Sequence, residues 1–255
     1  MKRIATGLVL LPVVVWIVLA SPSWAFNAVL VVVGLAALYE FDSITAAHGI
    51  RRAGLPGMAA GIALLFAPHP EAVAVLIALA ALMMTLNADD LKAALPSAAA
   101  FLLGAIYIFG AWRCARELRQ INPHWLMVAL LVSWAGDTAA YYAGRAFGRH
   151  KLAAQISPGK TWEGAFASVA AGVLSAAIYA HYLIPFFPLG GAMAISGAAN
   201  IAGQFGDLCE SALKRGGGIK DSGTTLPGHG GWLDRIDSTL FSIPVVYAAL
   251  TFISR

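Results

Sequence analysis

Long apolar segments follow one another along most of this chain, separated by short breaks that contain Pro, Gly or charged residues. A helix that crosses a membrane needs about 20 largely apolar residues, and nine segments come near that length. They cover Ile4–Ala20, Trp24–Tyr39, Leu55–Ala67, Glu71–Leu86, Ser97–Trp112, Trp125–Tyr142, Trp162–Ile184, Ala192–Leu213 and Ser238–Ile253. With 59% hydrophobic and 12% charged residues, the chain has more apolar surface than one soluble core can bury. The pattern predicts an all-α, polytopic helical integral membrane protein with about nine transmembrane helices.

Two features of the N-terminal half qualify that count. Leu55–Ala67 would be about 20 Å long as a helix and cannot cross a ~30 Å hydrocarbon core untilted. It could form a re-entrant pair with Glu71–Leu86, which would leave seven crossings. The first segment imitates a signal peptide, but its apolar run is longer than the ~7–15 residues typical of secretion, so we expect it to stay as a membrane anchor.

Basic residues are distributed unevenly between the two ends of the predicted helices. Thirteen of the 17 Lys and Arg residues lie on the side shared with the N-terminus. The other four are Arg113, Arg116, Arg119 and Arg255. Because cytoplasmic loops carry the excess of Lys and Arg, we expect the N-terminus and the glycine-rich loop after the eighth segment in the cytoplasm. The formal charge of +4 therefore reflects topology, and no nucleic-acid partner is expected.

Polar residues interrupt the apolar pattern at several places in the second half. Asp137 lies inside a spanning segment, where an acid is costly and is by default a functional candidate. It could instead be hydrogen-bonded between helices or paired with Arg145. A second group lies at i, i+3, i+4 and i+7 on one helix face. Its members are Asp207, Glu210, Ser211 and Lys214. A Glu210–Lys214 ion pair would explain two of them but leaves Asp207 without a reason.

The densest polar group is a glycine-rich run between the eighth and ninth segments. Five glycines lie between Arg215 and His229, and Gly230 and Gly231 follow directly. Such a backbone can approach a ligand closely and present N–H groups to phosphate oxygens. The charged residues of the run are Lys214, Arg215, Lys220, Asp221, Asp234, Arg235 and Asp237. This mixture suits a nucleoside triphosphate with Mg²⁺. Two plainer alternatives are that Asp237 caps the last helix and that His229 is a turn residue.

The segment SPGKTWEG, residues 157–164, is predicted to open the seventh helix. Ser157 or Thr161 could cap that helix, and its N-terminus together with Lys160 would form an anion site. The segment lacks the glycine spacing of a P-loop and no strand is predicted before it, so we reject that motif.

The run SALKRGGGIKDSGTTLPGHGGWLDRID, residues 211–237, resembles the signature of the phosphatidate cytidylyltransferase (CDP-diacylglycerol synthase) family. DTAAYYAGRAFG and SPGKTWEG resemble two upstream motifs of that family, so the similarity extends over Trp134–Ser238. The positions that carry it are Ser211, Lys214, Arg215, Lys220, Asp221, Gly223, Leu226, Pro227, His229, Gly230, Gly231, Asp234, Arg235 and Asp237.

The resemblance implies an enzyme that joins CTP and phosphatidic acid, giving CDP-diacylglycerol and pyrophosphate, with Mg²⁺ as cofactor. It also implies a multi-pass protein of a bacterial inner membrane whose active site faces the cytoplasm, and it allows a homodimer. No linker divides the chain, so we predict one membrane domain, with N-terminal transmembrane helices in residues 1–120 and a C-terminal catalytic region in residues 121–255.

By the same resemblance, and because both are acids beside basic residues, Asp207 and Asp234 are expected to bind the metal. Asp237 and Asp221 are further candidates. The phosphates of CTP and the lipid would be held by Lys214, Arg215, Lys220 and Arg235. Lys160, His229 and the backbone of Gly230 and Gly231 would also lie at the phosphates.

Two other functions fit parts of the pattern. Acids at broken membrane helices also mark ion pathways of transporters, but no inverted repeat is visible and the densest polar group lies at the membrane edge. A related membrane enzyme that uses CTP on another lipid, such as a polyprenol kinase, would give CDP and a phosphorylated alcohol.

Overall fold

The computed structural model describes residues 2–87, 90–223, 225 and 230–253. Most of these residues lie in ten α-helices. The helices are α1 Lys2–Leu19, α2 Ser23–Ala47, α3 Gly54–Phe66, α4 Pro70–Met84, α5 Leu91–Gly104, α6 Ala111–Ile121, α7 Pro123–Phe147, α8 Trp162–Leu183, α9 Leu189–Gly216 and α10 Leu233–Ile253. A 3₁₀ turn, Thr85–Asn87, follows α4, and a π-helical segment, Ala105–Gly110, joins α5 and α6 into one rod.

Each of the nine apolar segments coincides with one helix or, for the fifth segment, with the rod from α5 to α6. The prediction of an all-α polytopic membrane protein is therefore confirmed. In the described part of the chain, four helical rods are long and apolar enough to cross a membrane: α2, the α5–α6 rod, α7 and α8. The helices α3 and α4 are apolar but have only 13 and 15 residues. The total of about nine spans and the re-entrant pair stay predictions.

The segment before α8 differs from the sequence prediction. Ser157–Thr161 forms a strand, β2, which pairs antiparallel with β1, Lys151–Ala153. The expectation that SPGKTWEG opens the helix, with no strand before it, is therefore wrong for its first five residues. The physical reason is that proline cannot donate a backbone hydrogen bond and glycine favours non-helical backbone. The cap is confirmed, since Thr161 Oγ1 accepts a hydrogen bond from Gly164 N at 3.2 Å.

Small residues let α7, α8 and α9 pack closely. A Cβ added at Gly136 on α7 would lie 2.3 Å from Asn200 Nδ2 and 2.6 Å from Ser168 Oγ. Asn200 Nδ2 donates to Val132 O at 2.9 Å, and Ser168 Oγ donates to Asn200 Oδ1 at 3.2 Å. Close approach combined with interhelical hydrogen bonds is typical of membrane helices. These contacts fix the relative positions of α7, α8 and α9, and two of these helices, α7 and α9, carry residues of the candidate site.

The N-terminal and C-terminal helices share one hydrophobic core. It includes Leu38 of α2, Phe109 of the π segment, Leu126 of α7 and Ile243 of α10, all fully buried. A smaller cluster joins α3, α4 and α5. Many large apolar side chains instead face outward, an arrangement that suits a surface in contact with lipid.

Candidate active site

Lys160 and Asp207 meet although they come from different elements. Lys160 lies in β2, directly before the cap of α8, and its Nζ is 2.5 Å from Asp207 Oδ2 on α9. Asp207 Oδ1 also accepts a hydrogen bond from Ser211 Oγ at 3.4 Å. The side chains of Lys160 and Asp207 are 25% and 34% exposed. Two residues predicted for phosphate and metal binding are thus adjacent and accessible.

Lys214 forms the centre of a second, buried cluster. Its Nζ lies 3.2 Å from Glu210 Oε1 and makes a shorter contact with Asp234 Oδ1 on α10. The side chains of Lys214, Glu210 and Asp234 are 9%, 0% and 10% exposed. The Glu210–Lys214 pair suggested by the spacing is therefore present, but it is buried and includes a third residue. One ammonium group here faces two carboxyl groups.

Lys214 and Asp234 lie outside the predicted spanning segments, and their surroundings shift both pKa values. Burial alone would lower the pKa of Lys214, but the charge of Glu210 and the hydrogen bond to Asp234 outweigh it and raise that pKa. Burial would raise the pKa of Asp234, but hydrogen bonds from Lys214 and Gly231 N outweigh it and lower that pKa. Both groups are therefore ionised at neutral pH.

Asp234 also organises the backbone at the start of α10. Its Oδ2 accepts hydrogen bonds from Gly231 N at 2.9 Å and from Ser222 N at 3.1 Å. Gly230 has φ +78°, in the left-handed region that favours glycine. The N–H of Gly231, expected at a phosphate, is thus bonded to Asp234 in this structure.

Asp237 lies inside α10, which begins at Leu233. The alternative that Asp237 caps this helix is therefore wrong. The residue is 8% exposed, and its Oδ1 accepts hydrogen bonds from Ser238 N at 2.6 Å and from Ser238 Oγ at 3.2 Å. The same Ser238 Oγ lies 3.5 Å from Asp137 Oδ2. Ser238 therefore links an acid of α10 with an acid of α7.

Asp137 belongs to the same acidic region. The charges of Asp237, Asp207 and Lys160 are near enough to act on it. The alternative pairing with Arg145 is not found among the described residues, where Arg145 Nη1 donates to Tyr141 OH at 3.3 Å. Asp137 therefore lies at the candidate site, as a functional intramembrane acid would.

The remaining predicted phosphate ligands lie at the surface. Arg215 is exposed, and its Nη1 donates to Ile219 O at 3.0 Å. Other exposed residues of the predicted site are Lys220, Asp221 and Arg235. The structure does not bring these residues into the buried cluster around Lys214. Three positions of the family signature lie outside the described residues: Leu226, Pro227 and His229.

The residues present can be tested for their fit to Mg²⁺. In the described ranges, no three His, Cys, Asp or Glu side chains form a metal-binding group by themselves. Mg²⁺ usually takes only one or two carboxylates together with substrate phosphates and water, so a site completed by a nucleotide remains compatible. Both oxygens of Glu210 are buried and accept no hydrogen bond of good geometry within the described residues. The region contains more acids than lysines, and such a set of oxygen ligands suits a divalent cation. Its acids are Asp137, Asp207, Glu210, Asp234 and Asp237, and its lysines are Lys160 and Lys214.

Two residues near this region, Glu40 and Tyr107, belong to none of the sequence motifs described above. Glu40 is 1% exposed and accepts a hydrogen bond from Leu233 N at 2.8 Å. Glu40 directly follows the second apolar segment, so the sequence pattern did not place it in a helix. In the structure, α2 continues to Ala47 and includes it. Tyr107 lies in the π segment, its hydroxyl is buried without a partner among the described residues, and the charges of nearby acids act on it. π-helical turns often occur at functional sites.

Two cavities of the described structure lie away from this region. One, of about 330 Å³, is lined by residues between Ala180 and Leu189. The other, of about 210 Å³, is lined by Arg116 and Arg119 with neighbours from α1 and α2. Neither contains a residue of the predicted site.

Comparison with known proteins gives the family. Residues 1–253 match the cytidylyltransferase family. The chain belongs to that family. This confirms the family-level resemblance seen in the sequence.

Curated relatives of this chain carry the name phosphatidate cytidylyltransferase. The protein of Bacillus subtilis is 40% identical over 158 residues, which are 60% of this chain and 58% of the relative. The protein of Haemophilus influenzae is 42% identical over 146 residues, 54% of this chain and 51% of the relative. The protein of Pseudomonas aeruginosa is 40% identical over 152 residues, 58% of this chain and 56% of the relative. The chain therefore spans only about half the length of these relatives.

Proposed function

We propose that this chain transfers the cytidylyl group of CTP to phosphatidic acid, giving CDP-diacylglycerol and pyrophosphate. The observation that carries the proposal is the convergence of Lys160–Asp207 and Lys214–Asp234 with further acids from α7, α9 and α10. The names of the curated relatives support the choice of substrates.

The proposed reaction needs little from the protein beyond alignment and charge neutralisation. A phosphate oxygen of phosphatidic acid attacks the α-phosphorus of CTP and forms a new P–O bond. The bond from that phosphorus to the oxygen bridging the β-phosphorus breaks, and its electron pair leaves with pyrophosphate. Because the nucleophile is already an anion, neither a strong general base nor a covalent protein nucleophile is required. Positioned cations are therefore the main source of catalysis.

We assign the basic residues to the phosphates according to their exposure. Lys160 is accessible and bound to a single acid, so it can exchange Asp207 for a phosphate oxygen. Arg215, Lys220 and Arg235 are exposed around the loop and are assigned to the remaining phosphate charge. Lys214 is buried between Glu210 and Asp234, so its assigned role is to hold these two acids in place. His229 stays a candidate for the phosphates from the sequence alone.

Mg²⁺ is the proposed cofactor, and Asp207 and Asp237 are the proposed ligands. Asp234, also predicted as a ligand, already accepts hydrogen bonds from Lys214, Gly231 N and Ser222 N. The role assigned to Asp234 is therefore mainly to hold the glycine-rich loop in place. When bound, a divalent ion neutralises charge on phosphate oxygens.

The proposed location follows from the chemistry of the substrates. Phosphatidic acid keeps its charged head at the membrane interface, and CTP is dissolved in the cytoplasm. A site at the cytoplasmic end of membrane helices can receive both. We therefore propose the bacterial inner membrane as the location, with residues 121–255 as the catalytic region. The homodimer stays a prediction.

The experiment that tests the function is a reconstituted assay. Purified protein in detergent is given CTP and phosphatidic acid, with and without Mg²⁺, and both pyrophosphate and the lipid product are measured. We expect equal amounts of pyrophosphate and CDP-diacylglycerol, only with Mg²⁺. No CDP-lipid would overturn the proposal. Release of CDP with a phosphorylated alcohol would indicate a lipid kinase, and ion flux without CTP would indicate a transporter.

A further inference from the structure

Glu40 is a buried acid on α2 with buried apolar residues on both sides in the sequence. The residue is 1% exposed, and Ala37, Leu38 and Phe41 around it are also buried. A carboxyl group in such surroundings is strongly unfavourable unless hydrogen-bond donors surround it. The identity of these donors therefore indicates why an acid is present.

Three donors to Glu40 lie on the segment that leads from α9 into α10 or directly after it. Oε2 accepts hydrogen bonds from Ser222 Oγ at 3.0 Å and from Leu233 N at 2.8 Å. Oε1 accepts a shorter hydrogen bond from Thr225 Oγ1. Because Ser222 lies within the first half of this segment and Leu233 directly follows its last residue, one carboxyl group connects two places that are eleven residues apart in the chain.

Glycines on the same segment leave room for this carboxyl group. A Cβ added at Gly231 would lie 2.3 Å from Glu40 Oε2, and one added at Gly223 would lie 2.7 Å from Oε1. Both distances are too short for real atoms. Two glycines of the signature run are therefore explained by their approach to Glu40.

Glu40 and Asp234 both accept hydrogen bonds from Ser222. Ser222 donates its Oγ to Glu40 and its N–H to Asp234 Oδ2 at 3.1 Å. Leu233, which donates its N–H to Glu40, directly precedes Asp234, which in turn pairs with Lys214. We infer that Glu40 is a positioning residue: together with Asp234 it fixes the glycine-rich loop at Ser222 and at its junction with α10, and thereby places the nearby cations Lys220 and Arg235 for the nucleotide. The inference rests on the proposed cytidylyl transfer.

Asp42 provides a matched control on the same helix. It is 4% exposed, and its carboxylate accepts hydrogen bonds from Ala53 N at 2.9 Å and Gly54 N at 2.8 Å. These donors lie at the start of α3 and not in the loop. A residue that served only stability would give the same kinetic result at position 40 as at position 42.

The experiment compares the wild type with Glu40→Gln, Asp42→Asn and Thr225→Val. Formation of CDP-diacylglycerol is followed while CTP and phosphatidic acid are varied separately, and the unfolding temperature of each variant is measured. We expect Glu40→Gln to lower kcat/KM for CTP by roughly 10- to 100-fold, as loss of an outer partner of functional groups typically does. The KM for phosphatidic acid should not change. Asp42→Asn should lower the unfolding temperature but keep wild-type kinetics.

Thr225→Val keeps the test decisive if Glu40→Gln does not fold. Thr225 is exposed, so this variant removes one donor to Glu40 without disturbing the core. We expect a smaller fall in kcat/KM for CTP. Two results would overturn the inference while the proposed function stands. One is wild-type kinetics in both Glu40→Gln and Thr225→Val, and the other is a fall in kcat/KM for CTP in Asp42→Asn equal to that in Glu40→Gln. A wild-type protein that forms no CDP-lipid would overturn both, and this outcome is distinguishable because it precedes any comparison of variants.

Discussion

At the scale of single residues, the two lysines of the site differ in their surroundings. Lys160 is 25% exposed and contacts one acid, whereas Lys214 is 9% exposed and contacts two. A partly exposed ion pair contributes little to stability, but a buried one is costly to break. We therefore expect replacement of Lys160 to affect activity and replacement of Lys214 to affect folding first.

Lys160→Met should lower kcat/KM by about 10²- to 10³-fold, the usual loss when one group that stabilises transition-state charge is removed. Its unfolding free energy should change by less than about 1 kcal/mol, because the pair with Asp207 is partly screened by solvent. Steady-state assays and chemical unfolding in detergent measure the two quantities. Lys151→Met is the control, since Lys151 lies on the same hairpin and donates to Pro158 O at 2.7 Å. Equal losses in both variants would contradict the assignment.

Lys214→Met should destabilise the protein by about 3–5 kcal/mol, because it leaves the buried acids without their compensating cation. Adding Glu210→Gln to this variant should recover part of the loss, since one of the uncompensated carboxyl groups is then removed. Unfolding curves of the two variants and the wild type provide the measurement. If the double variant is no more stable than Lys214→Met, the Glu210 carboxyl group does not need Lys214 as its compensating cation, and the prediction is contradicted.

Contacts within one helix could be predicted from the sequence, whereas contacts between distant segments could not. The spacing of Glu210 and Lys214 by four residues predicts their pairing from helix geometry alone. The contact of Lys214 with Asp234 crosses 20 residues, and that of Ser222 with Glu40 crosses 182. No periodic pattern relates such pairs, so Glu40 could be found only in the folded chain.

At the scale of elements, the hairpin of β1 and β2 holds Lys160 directly before α8. Thr161 ends the hairpin and caps α8 through its side chain. Thr161→Ala should destabilise the protein by about 1 kcal/mol, the typical cost of losing a helix cap. Thr138→Ala is a suitable control, because Thr138 is exposed and donates to Trp134 O of its own helix at 2.8 Å. Chemical unfolding should separate the two variants, and equal stability would argue against the cap.

The apolar helices could be predicted as elements, but the hairpin could not. The nine apolar segments coincide with helices because a long apolar run is a local sequence signal, and a helix pairs its backbone N–H and C=O groups within the same segment. The hairpin depends instead on pairing of Lys151 with Thr161, a non-local contact between two short strands. The motif SPGKTWEG contains both a cap and a strand, and local propensity alone identified only the cap.

At the scale of the whole molecule, the N-terminal helices pack against the proposed catalytic region. The shared core and the contact of His48 Nε2 with Leu213 O at 2.8 Å connect α2 with the end of α9. Glu40 makes the same connection to the loop. The division at residues 120 and 121 stays a prediction, and the residues on its two sides share one hydrophobic core.

The orientation of the chain in the membrane is predicted from its distribution of charge. The excess of Lys and Arg predicts that the hairpin and the glycine-rich loop face the cytoplasm. The helix α8 has 22 residues, about 33 Å at 1.5 Å per residue, enough to cross the hydrocarbon core. Gln155 in the hairpin turn and Phe186 after α8 are both exposed and mark its opposite ends.

Single cysteines at these two positions test the orientation. They are introduced as Gln155→Cys or Phe186→Cys after Cys114→Ala and Cys209→Ala, substitutions at two residues without a proposed role in the reaction. A membrane-impermeant thiol reagent should label position 186 in spheroplasts and position 155 only in inverted membrane vesicles. The cytidylyltransferase assay checks that each variant is folded. Labelling of position 155 from outside would place the site on the side of the membrane away from cytoplasmic CTP and would contradict the predicted orientation. The lipid head group is present at both interfaces, so the location of CTP alone determines on which side the site must lie.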